Sequence, residues 1–180
     1  KYMKRSPHVG AILNITPNHL DVHPDMTDYI SAKQNVIRYQ SGYDFAVLNI
    51  DNQTTNEMID AVESNVMPFS RLSELDKGVF LSDDDLILRR SEDSSAEVIC
   101  KRSDIQLPGD HNVENVLAAI AICSCANARS SLMAEVIRDF RGVPHRLETV
   151  GTVNKVKYIN DSISTTPSRA MAGILAMTSP

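Results

Sequence analysis

The chain has 180 residues and a mass of 19.9 kDa, enough for one domain with a substantial core and marginal for two. Hydrophobic residues make up 42% and charged residues 23%, which excludes disorder as the main state. The formal net charge of −5 argues against a sequence-independent grip on nucleic acid, and no apolar run approaches the roughly 20 residues that span a bilayer. We therefore expect neither nucleic acid nor a membrane as a partner.

The compartment is predicted from the N-terminus and the cysteines. The basic start of the chain is not followed by the apolar stretch and cleavage site of an export signal. Cys100, Cys123 and Cys125 are too few for a disulfide framework, and two of them are only two residues apart. These features favour a reducing compartment, and we expect the protein to be cytoplasmic.

The first 50 residues predict a βαβ unit. The apolar run 9–15 is typical of a buried strand, a helix is expected from Thr27 and Asp28 to about Tyr39, and 45–50 predicts a second strand. Two strands joined by a helix lie parallel, and functional loops then follow the carboxyl ends of the strands. We expect the functional site at that edge.

The loop after the first predicted strand carries His19, Asp21 and His23. In an extended backbone these three side chains share one face and could bind a divalent metal ion. Polar loops often carry such residues without metal, so both interpretations stay open. Lys33, taken alone, is typical of a solvated helix surface.

The middle of the chain predicts short strands and then two helices. Strands are expected at 78–82, 85–89 and 96–101 as a small antiparallel meander. Helices are predicted at 112–126 and 131–140. The expected apolar face of the first helix comprises Val116, Ala119, Ile120 and Cys123. Thiols in such a face are usually core residues.

The last part of the chain predicts strands at 147–150 and 156–159 and a helix at 167–177. Residues 158–161 have the pattern of the first strand of a new α/β unit. We therefore predict a boundary near Gly151, with residues 1–150 in one domain and 151–180 at the start of a second.

Two polar groups in this region have alternative interpretations. Asn112 and Asn115 lie one turn apart, and a carboxamide offers the donor and acceptor that match the edge of adenine, although Asn112 could instead cap its helix. His145 and Arg146 suit a phosphate site, although an Arg–Glu surface pair is the simpler alternative.

Five motifs follow one another along the chain: Asn-Ile-Thr-Pro-Asn-His-Leu-Asp at 14–21, Tyr-Ile-Ser-Ala-Lys at 29–33, Leu-Pro-Gly-Asp-His-Asn-Val-Glu-Asn at 107–115, Phe-Arg-Gly-Val-Pro-His-Arg-Leu-Glu at 140–148 and Asn-Asp-Ser at 160–162. In this order they resemble the Mur ligase family nearly from end to end. The resemblance implies an α/β fold: the later part of a central ATPase domain, a mostly parallel sheet with a small antiparallel meander, followed by the start of a Rossmann-like C-terminal domain.

The motifs at 142–148 and 160–162 favour the family branch that uses ATP to join D-glutamate to UDP-N-acetylmuramoyl-L-alanine. This implies an ADP-forming ligase of peptidoglycan synthesis that acts in cell-wall biogenesis, cell shape and cell division, and that is a monomer when full length. The alternatives are a sibling ligase that adds L-alanine, diaminopimelate or lysine, a non-catalytic module derived from such a ligase, and a metallohydrolase that uses His19, Asp21 and His23.

The resemblance also implies roles for single residues. His19 would bind magnesium, and Lys33, carbamylated by carbon dioxide, would help to hold that ion. The carbamate requires Lys33 to react as the neutral amine, which calls for a partly desolvated site.

The other implied roles concern ATP and the acceptor. Asn112 and Asn115 would face adenine with His145 nearby, and Arg146 and Asp161 would contact ribose and phosphates. Thr165 would meet a carboxylate of D-glutamate.

Two departures from the family pattern qualify the resemblance. The chain has no Gly-x-x-Gly-Lys-Thr phosphate loop, and Ile163 stands where the family usually has lysine after Asn-Asp-Ser. We therefore expect the chain to be an incomplete portion of the enzyme that is inactive by itself.

Overall fold

The fold is built around one six-stranded sheet. The structure, a computed structural model, describes residues 4–16, 23–165 and 167–177, without the side chains of 168, 169, 172 and 176. The strands follow one another across the sheet in chain order: β1 (Val9–Ile12), β2 (Phe45–Asn49), β3 (Asn65–Ser70), β4 (Gly78–Ser82), β5 (Asp85–Arg89) and β6 (Glu97–Lys101). Strands β1 to β4 are parallel, and β5 and β6 are antiparallel, which confirms the predicted mixture.

Apart from two single-turn 3-10 helices, the remaining elements of the described residues are five α-helices and a hairpin. They are α1 (Met26–Gln34), α2 (Gln53–Asn56), α3 (Asp110–Cys125), α4 (Ser130–Asp139), β7 (Glu148–Val153), β8 (Val156–Asn160) and α5 (Pro167–Ala176). The antiparallel pair β7–β8 forms a separate two-stranded sheet. Across the described part of the chain, none of these helices has the length and apolar character needed to cross a membrane.

Helix α1 begins and ends earlier than predicted. Its N-cap is Asp25, whose carboxylate accepts a hydrogen bond from Asp28 N at 2.9 Å. The helix ends at Gln34. The hydroxyl of Ser6 lies between two backbone groups that a continued helix would pair: it donates to Asn35 O at 2.9 Å and accepts from Tyr39 N at 3.0 Å. This segment ahead of β1 therefore competes with continuation of the helix.

Two hydrophobic cores lie on opposite faces of the sheet. Successive side chains of a strand point to opposite faces. On β2, Val47 packs into the core that contains Leu117 of α3, whereas Ala46 and Leu48 pack into the core that contains Tyr29 of α1. Helices α1 and α3 therefore cover different faces.

Helix α3 crosses the sheet and contacts β1 to β5. Its buried apolar side chains are Val113, Leu117, Ala118, Ile120, Ala121 and Cys125. The predicted apolar face was partly wrong, because Val116 and Ala119 line a cavity beside the helix. Since α3 is apolar over more than one side, hydrophobic periodicity alone does not identify the side that faces the sheet.

The predicted boundary between residues 150 and 151 falls inside β7. The two-domain division, and the continuation of β8 and α5 into a Rossmann-like domain, therefore stay predictions.

The packing of α3 generates a stability prediction. Leu117 is fully buried, so Leu117→Ala removes apolar contacts and leaves a cavity. We expect a loss of about 3 kcal/mol in the free energy of unfolding, measured by urea denaturation. The matched control is Leu132→Ala on α4, where the side chain is 44% exposed and the loss should stay below about 1 kcal/mol. Equal losses in the two variants would contradict this packing.

Candidate functional site

An apolar cavity of about 370 Å³ lies between α3, α4 and the segment that follows α4. Its lining consists mostly of aliphatic side chains together with three polar ones: Ile105, Leu107, Pro108, Asn112, Asn115, Val116, Ala119, Val136, Ile137, Phe140, Gly142, Val143, Arg146 and Leu147. A cavity of this size, with apolar walls and a few polar groups, suits a flat heterocycle. We call it the base cavity.

Asn112 and Asn115 meet at the edge of the base cavity. Asn112 is buried, and its Nδ2 donates to Pro108 O at 2.7 Å. Its Oδ1 accepts from Asn115 Nδ2 at 3.3 Å. No other described residue hydrogen-bonds Asn115 Oδ1 or its second N–H, so both are available for a ligand. Asn112 does not cap α3, because the N-cap is Gly109.

A second cavity, of about 200 Å³, adjoins the first at Arg146 and Leu147. Its lining is more polar: His111, Arg146, Leu147, Asp161, Ile163, Ser164 and Gly173. Within the described ranges, the guanidinium of Arg146 makes no hydrogen bond or ion pair, so it is free to meet an anion. Ile163 lines the same cavity and supplies no charge there. We call it the polar cavity.

Asp161 both faces the polar cavity and holds the chain around it. One carboxylate oxygen accepts from Leu147 N at 3.1 Å, and the other accepts from the hydroxyl of Ser164. Helix α5 approaches closely at Gly173, where a Cβ atom would lie 3.1 Å from Asp161 Oδ2. The sequence pattern singled out Asp161 but not these backbone contacts.

His145 lines neither cavity. It is exposed, has a left-handed backbone with φ +68°, and its Nδ1 lies 3.0 Å from Asn160 Nδ2. The structure therefore brings Asn112, Asn115, Arg146 and Asp161 to two adjoining cavities and leaves His145 beside them.

The amino end of α3 is held by a charged network that sequence analysis did not identify. Arg71, directly after β3, contacts Asp110 and Glu114 at 3.2 Å each, on either side of Asn112. The backbone N–H of Arg71 donates to Asp51 Oδ2 at 2.7 Å. These contacts join the ends of β2 and β3 to the helix that carries the two asparagines. An acidic first turn of α3 and an arginine after a strand are the only signals of it in the sequence.

The predicted metal cluster is only partly covered by the structure. His19 and Asp21 lie outside the described residues. His23 Nδ1 lies 2.7 Å from Asp28 Oδ2, at the start of α1. In residues 4–16, 23–165 and 167–177, no three His, Cys, Asp or Glu side chains converge as metal ligands.

Lys33 lies in the last turn of α1 and is exposed. Its Nζ lies 5.5 Å from the centroid of the Tyr29 ring. Because α1 and α3 cover opposite faces, the sheet separates Lys33 from Asn112 and Asn115. The described residues do not supply the desolvation that a carbamate requires.

Thr165 is exposed and lines neither cavity. It precedes α5, which begins at Pro167 as predicted.

The three cysteines are free. Burial raises the pKa of Cys100 to about 11, and burial also raises the pKa of Cys125. Both thiols belong to the core that α3 shares with the sheet, which confirms that Cys125 is a core residue.

The comparisons place the chain in a known class of protein. Residues 1–123, more than half of the chain, match the Mur ligase middle domain. The chain belongs to the Mur ligase family.

Curated relatives extend the match over nearly the whole chain. The UDP-N-acetylmuramoylalanine–D-glutamate ligase of Acetivibrio thermocellus is 46% identical over 173 residues, which cover 96% of this chain and 36% of the relative. The corresponding ligase of Clostridium novyi is 43% identical over 178 residues, which cover 99% of this chain and 37% of the relative. The chain thus spans little more than a third of these relatives.

Solved structures support the fold. MurF from Acinetobacter baumannii aligns with a TM-score of 0.71 at 22% identity, over 93% of this chain and 36% of that protein. MurF ligase from Thermotoga maritima, solved in complex with ADP, aligns with a TM-score of 0.68 at 15% identity, over 96% of this chain and 39% of that protein. At these identities the likeness establishes the α/β architecture.

The cysteine environments generate a reactivity prediction. At pH 8, iodoacetamide should alkylate the half-buried Cys123 first, because only the thiolate reacts and burial keeps Cys100 and Cys125 protonated. A rise in pKa from 9.0 to about 11 lowers the thiolate fraction of Cys100 about 100-fold. Mass spectrometry of timed digests measures the order.

Urea-unfolded chain is the control, and there all three cysteines should react at similar rates. Rapid alkylation of Cys100 in the folded chain would contradict its burial.

Proposed function

We propose that this chain is part of a ligase that uses ATP to join D-glutamate to UDP-N-acetylmuramoyl-L-alanine, a cytoplasmic step in peptidoglycan synthesis. The single observation that supports it best is the pair of adjoining cavities, one apolar with Asn115 at its edge and one polar with Arg146 and Asp161. Such a pair suits a nucleotide, whose base is flat and whose sugar and phosphates are polar. The names of the curated relatives supply the acceptor and the donor.

Adenine is proposed to occupy the base cavity. Its exposed edge offers an N6 amine that donates and an N7 that accepts. Asn115 retains one acceptor and one donor, whereas both functional groups of Asn112 are engaged by Pro108 and Asn115. The role we assign to Asn112 is therefore to orient Asn115. Guanine offers a carbonyl in place of the amine and would leave Asn115 Oδ1 without a donor.

Ribose and phosphates are proposed to extend into the polar cavity. The guanidinium of Arg146, which no described residue pairs, suits phosphate oxygens, and Asp161 suits ribose hydroxyls. Asp161 accepts protein hydrogen bonds already, yet a carboxylate has about four acceptor sites, so capacity remains. His145 is proposed to act near this nucleotide.

ATP would first convert the carboxylate of UDP-N-acetylmuramoyl-L-alanine into an acyl phosphate, with release of ADP. The amine of the acceptor would then attack the acyl phosphate and displace phosphate to give the amide. Negative charge accumulates on neighbouring phosphate and carboxylate oxygens during this step. The part we assign to this chain is to bind and orient the nucleotide through Asn115, Arg146 and Asp161.

Magnesium is proposed to be held by His19 with help from a carbamate on Lys33. When bound, magnesium neutralises charge on the phosphates. The described residues do not by themselves form such a site, so this assignment rests on the family motifs at 14–21 and 29–33. Desolvation of Lys33 would have to come from parts of the protein that the structure does not describe.

The acceptor is proposed to meet Thr165. Its hydroxyl precedes the first turn of α5, where free backbone N–H groups favour a carboxylate. This suits an acidic amino acid such as D-glutamate.

The proposed reaction is tested in the full-length protein. With UDP-N-acetylmuramoyl-L-alanine and ATP, phosphate release should require D-glutamate and should not respond to L-alanine, diaminopimelate or L-lysine. A coupled phosphate assay measures it, and omission of ATP is the control. A better response to diaminopimelate or lysine would assign the protein to a sibling ligase.

The adenine site is tested by Asn115→Ala. Loss of the contacts to the base should raise the Michaelis constant for ATP by the factor that corresponds to roughly 1 to 3 kcal/mol, and should narrow the preference for ATP over GTP. Steady-state kinetics with both nucleotides measure the effect. The control is Asn56→Ala, an exposed position on α2. Lower thermal stability with unchanged kinetics would instead indicate a structural role.

The carbamate is tested by Lys33→Ala. This variant should lose turnover, and acetate should restore part of it by occupying the vacated anionic position. Lys77→Ala is the control. It should keep its turnover, and acetate should not alter that turnover. Near-normal activity of Lys33→Ala would indicate an ordinary solvated lysine.

A further inference from the structure

Residues 145–147 form a strained segment beside both cavities. His145 and Leu147 have left-handed backbones, with φ +68° and φ +46°. Residues other than glycine adopt such conformations at a cost of order 1 kcal/mol or more, and they persist only where the surroundings hold them. The residue between them is Arg146, which lines both cavities.

The strained segment is held by the hairpin that follows it. His145 N donates to Glu148 Oε2 at 2.8 Å, and His145 O accepts from Ile163 N at 3.2 Å. Leu147 N donates to Asp161 Oδ1 at 3.1 Å. Every one of these partners lies on β7 or just after β8.

Glu148 is the centre of this arrangement. The same Oε2 that accepts from His145 N also accepts from Asn160 Nδ2 at 3.3 Å, and Asn160 Nδ2 lies 3.0 Å from His145 Nδ1. One carboxylate oxygen therefore ties the left-handed residue to the end of β8. Glu148 lines neither the base cavity nor the polar cavity.

We propose that Glu148 is a positioning residue: by holding His145 in its left-handed conformation, it aims the guanidinium of Arg146 at the junction of the two cavities. The inference rests on the nucleotide site of the proposed function. Without Glu148, His145 N loses its acceptor and the strain is released, so the chain relaxes and Arg146 leaves the junction. The backbone N–H of Arg146 donates to Val143 O at 3.3 Å, but in the described part of the chain its guanidinium has no hydrogen-bond or ion-pair partner that would retain its position.

The test is a double-mutant cycle on ADP affinity, measured by calorimetry with the full-length protein. The variants are Glu148→Ala, Arg146→Ala and the double variant. Glu148→Ala and Arg146→Ala should each weaken ADP binding about tenfold, as expected for loss of a hydrogen bond to a charged group. The double variant should bind no more weakly than Arg146→Ala, because Glu148 acts through Arg146.

Two further variants separate positioning from charge and from stability. Glu148→Gln removes the charge and keeps an oxygen acceptor for His145 N, so its ADP affinity should stay within about twofold of the wild type. Glu135→Ala replaces an exposed glutamate on α4 and should leave the affinity unchanged.

Additive losses in the double variant, or an equal loss in Glu148→Gln and Glu148→Ala, would overturn the proposal. Because the test measures ADP binding and not turnover, failure of the Glu148 proposal can be distinguished from failure of the proposed reaction. A protein that binds ADP but lacks turnover with D-glutamate would refute the reaction and still report on Glu148. A wild-type protein that binds no ADP would refute both.

Discussion

The burial of helix α3 against the sheet is the interaction on which the rest of the structure depends. The helix contacts β1 to β5 and contributes the fully buried Leu117 to the larger core. At roughly 25 cal/mol per Å² of apolar surface, this burial is the main reason that α3 has a single orientation. With one side committed to the sheet, Val116 and Ala119 form part of the wall of a cavity, and Val116 also packs against the margin of the larger core. The position of Asn115 follows from the same rotation of the helix.

Electrostatic contacts refine what packing achieves. Arg71 joins Asp110 and Glu114 to the ends of β2 and β3, so the first turns of α3 are held at the edge of the sheet where parallel strands end. These pairs are partly exposed, and their contribution to stability is modest. Their effect is geometric, since they restrain the helix at the residues that face the base cavity.

The polar cavity depends on a connection between the two sheets. The segment after α4 lines the base cavity, and Glu148 on β7 and Asp161 just after β8 supply the acceptors that hold it in a strained form. Gly173 brings α5 against Asp161, so the terminal helix also contributes to this arrangement. A change in the orientation of the hairpin would therefore change the polar cavity. Lys33, on the other face of the sheet, is independent of these contacts.

Local pattern was enough to predict most elements of secondary structure. Strands, helices and turns follow from hydrophobic periodicity and from Gly and Pro. The family resemblance of the five motifs singled out Asn112, Asn115, Arg146 and Asp161, and the structure brings these residues to two adjoining cavities. Local pattern could not predict which side of α3 meets the sheet. Nor could it predict the ion pair between Arg71 and Glu114, which are 43 residues apart, or the hydrogen bond from His145 N to Glu148. Those depend on the distances that arise when the core is buried, because a side chain finds its partner only after packing has brought distant segments together.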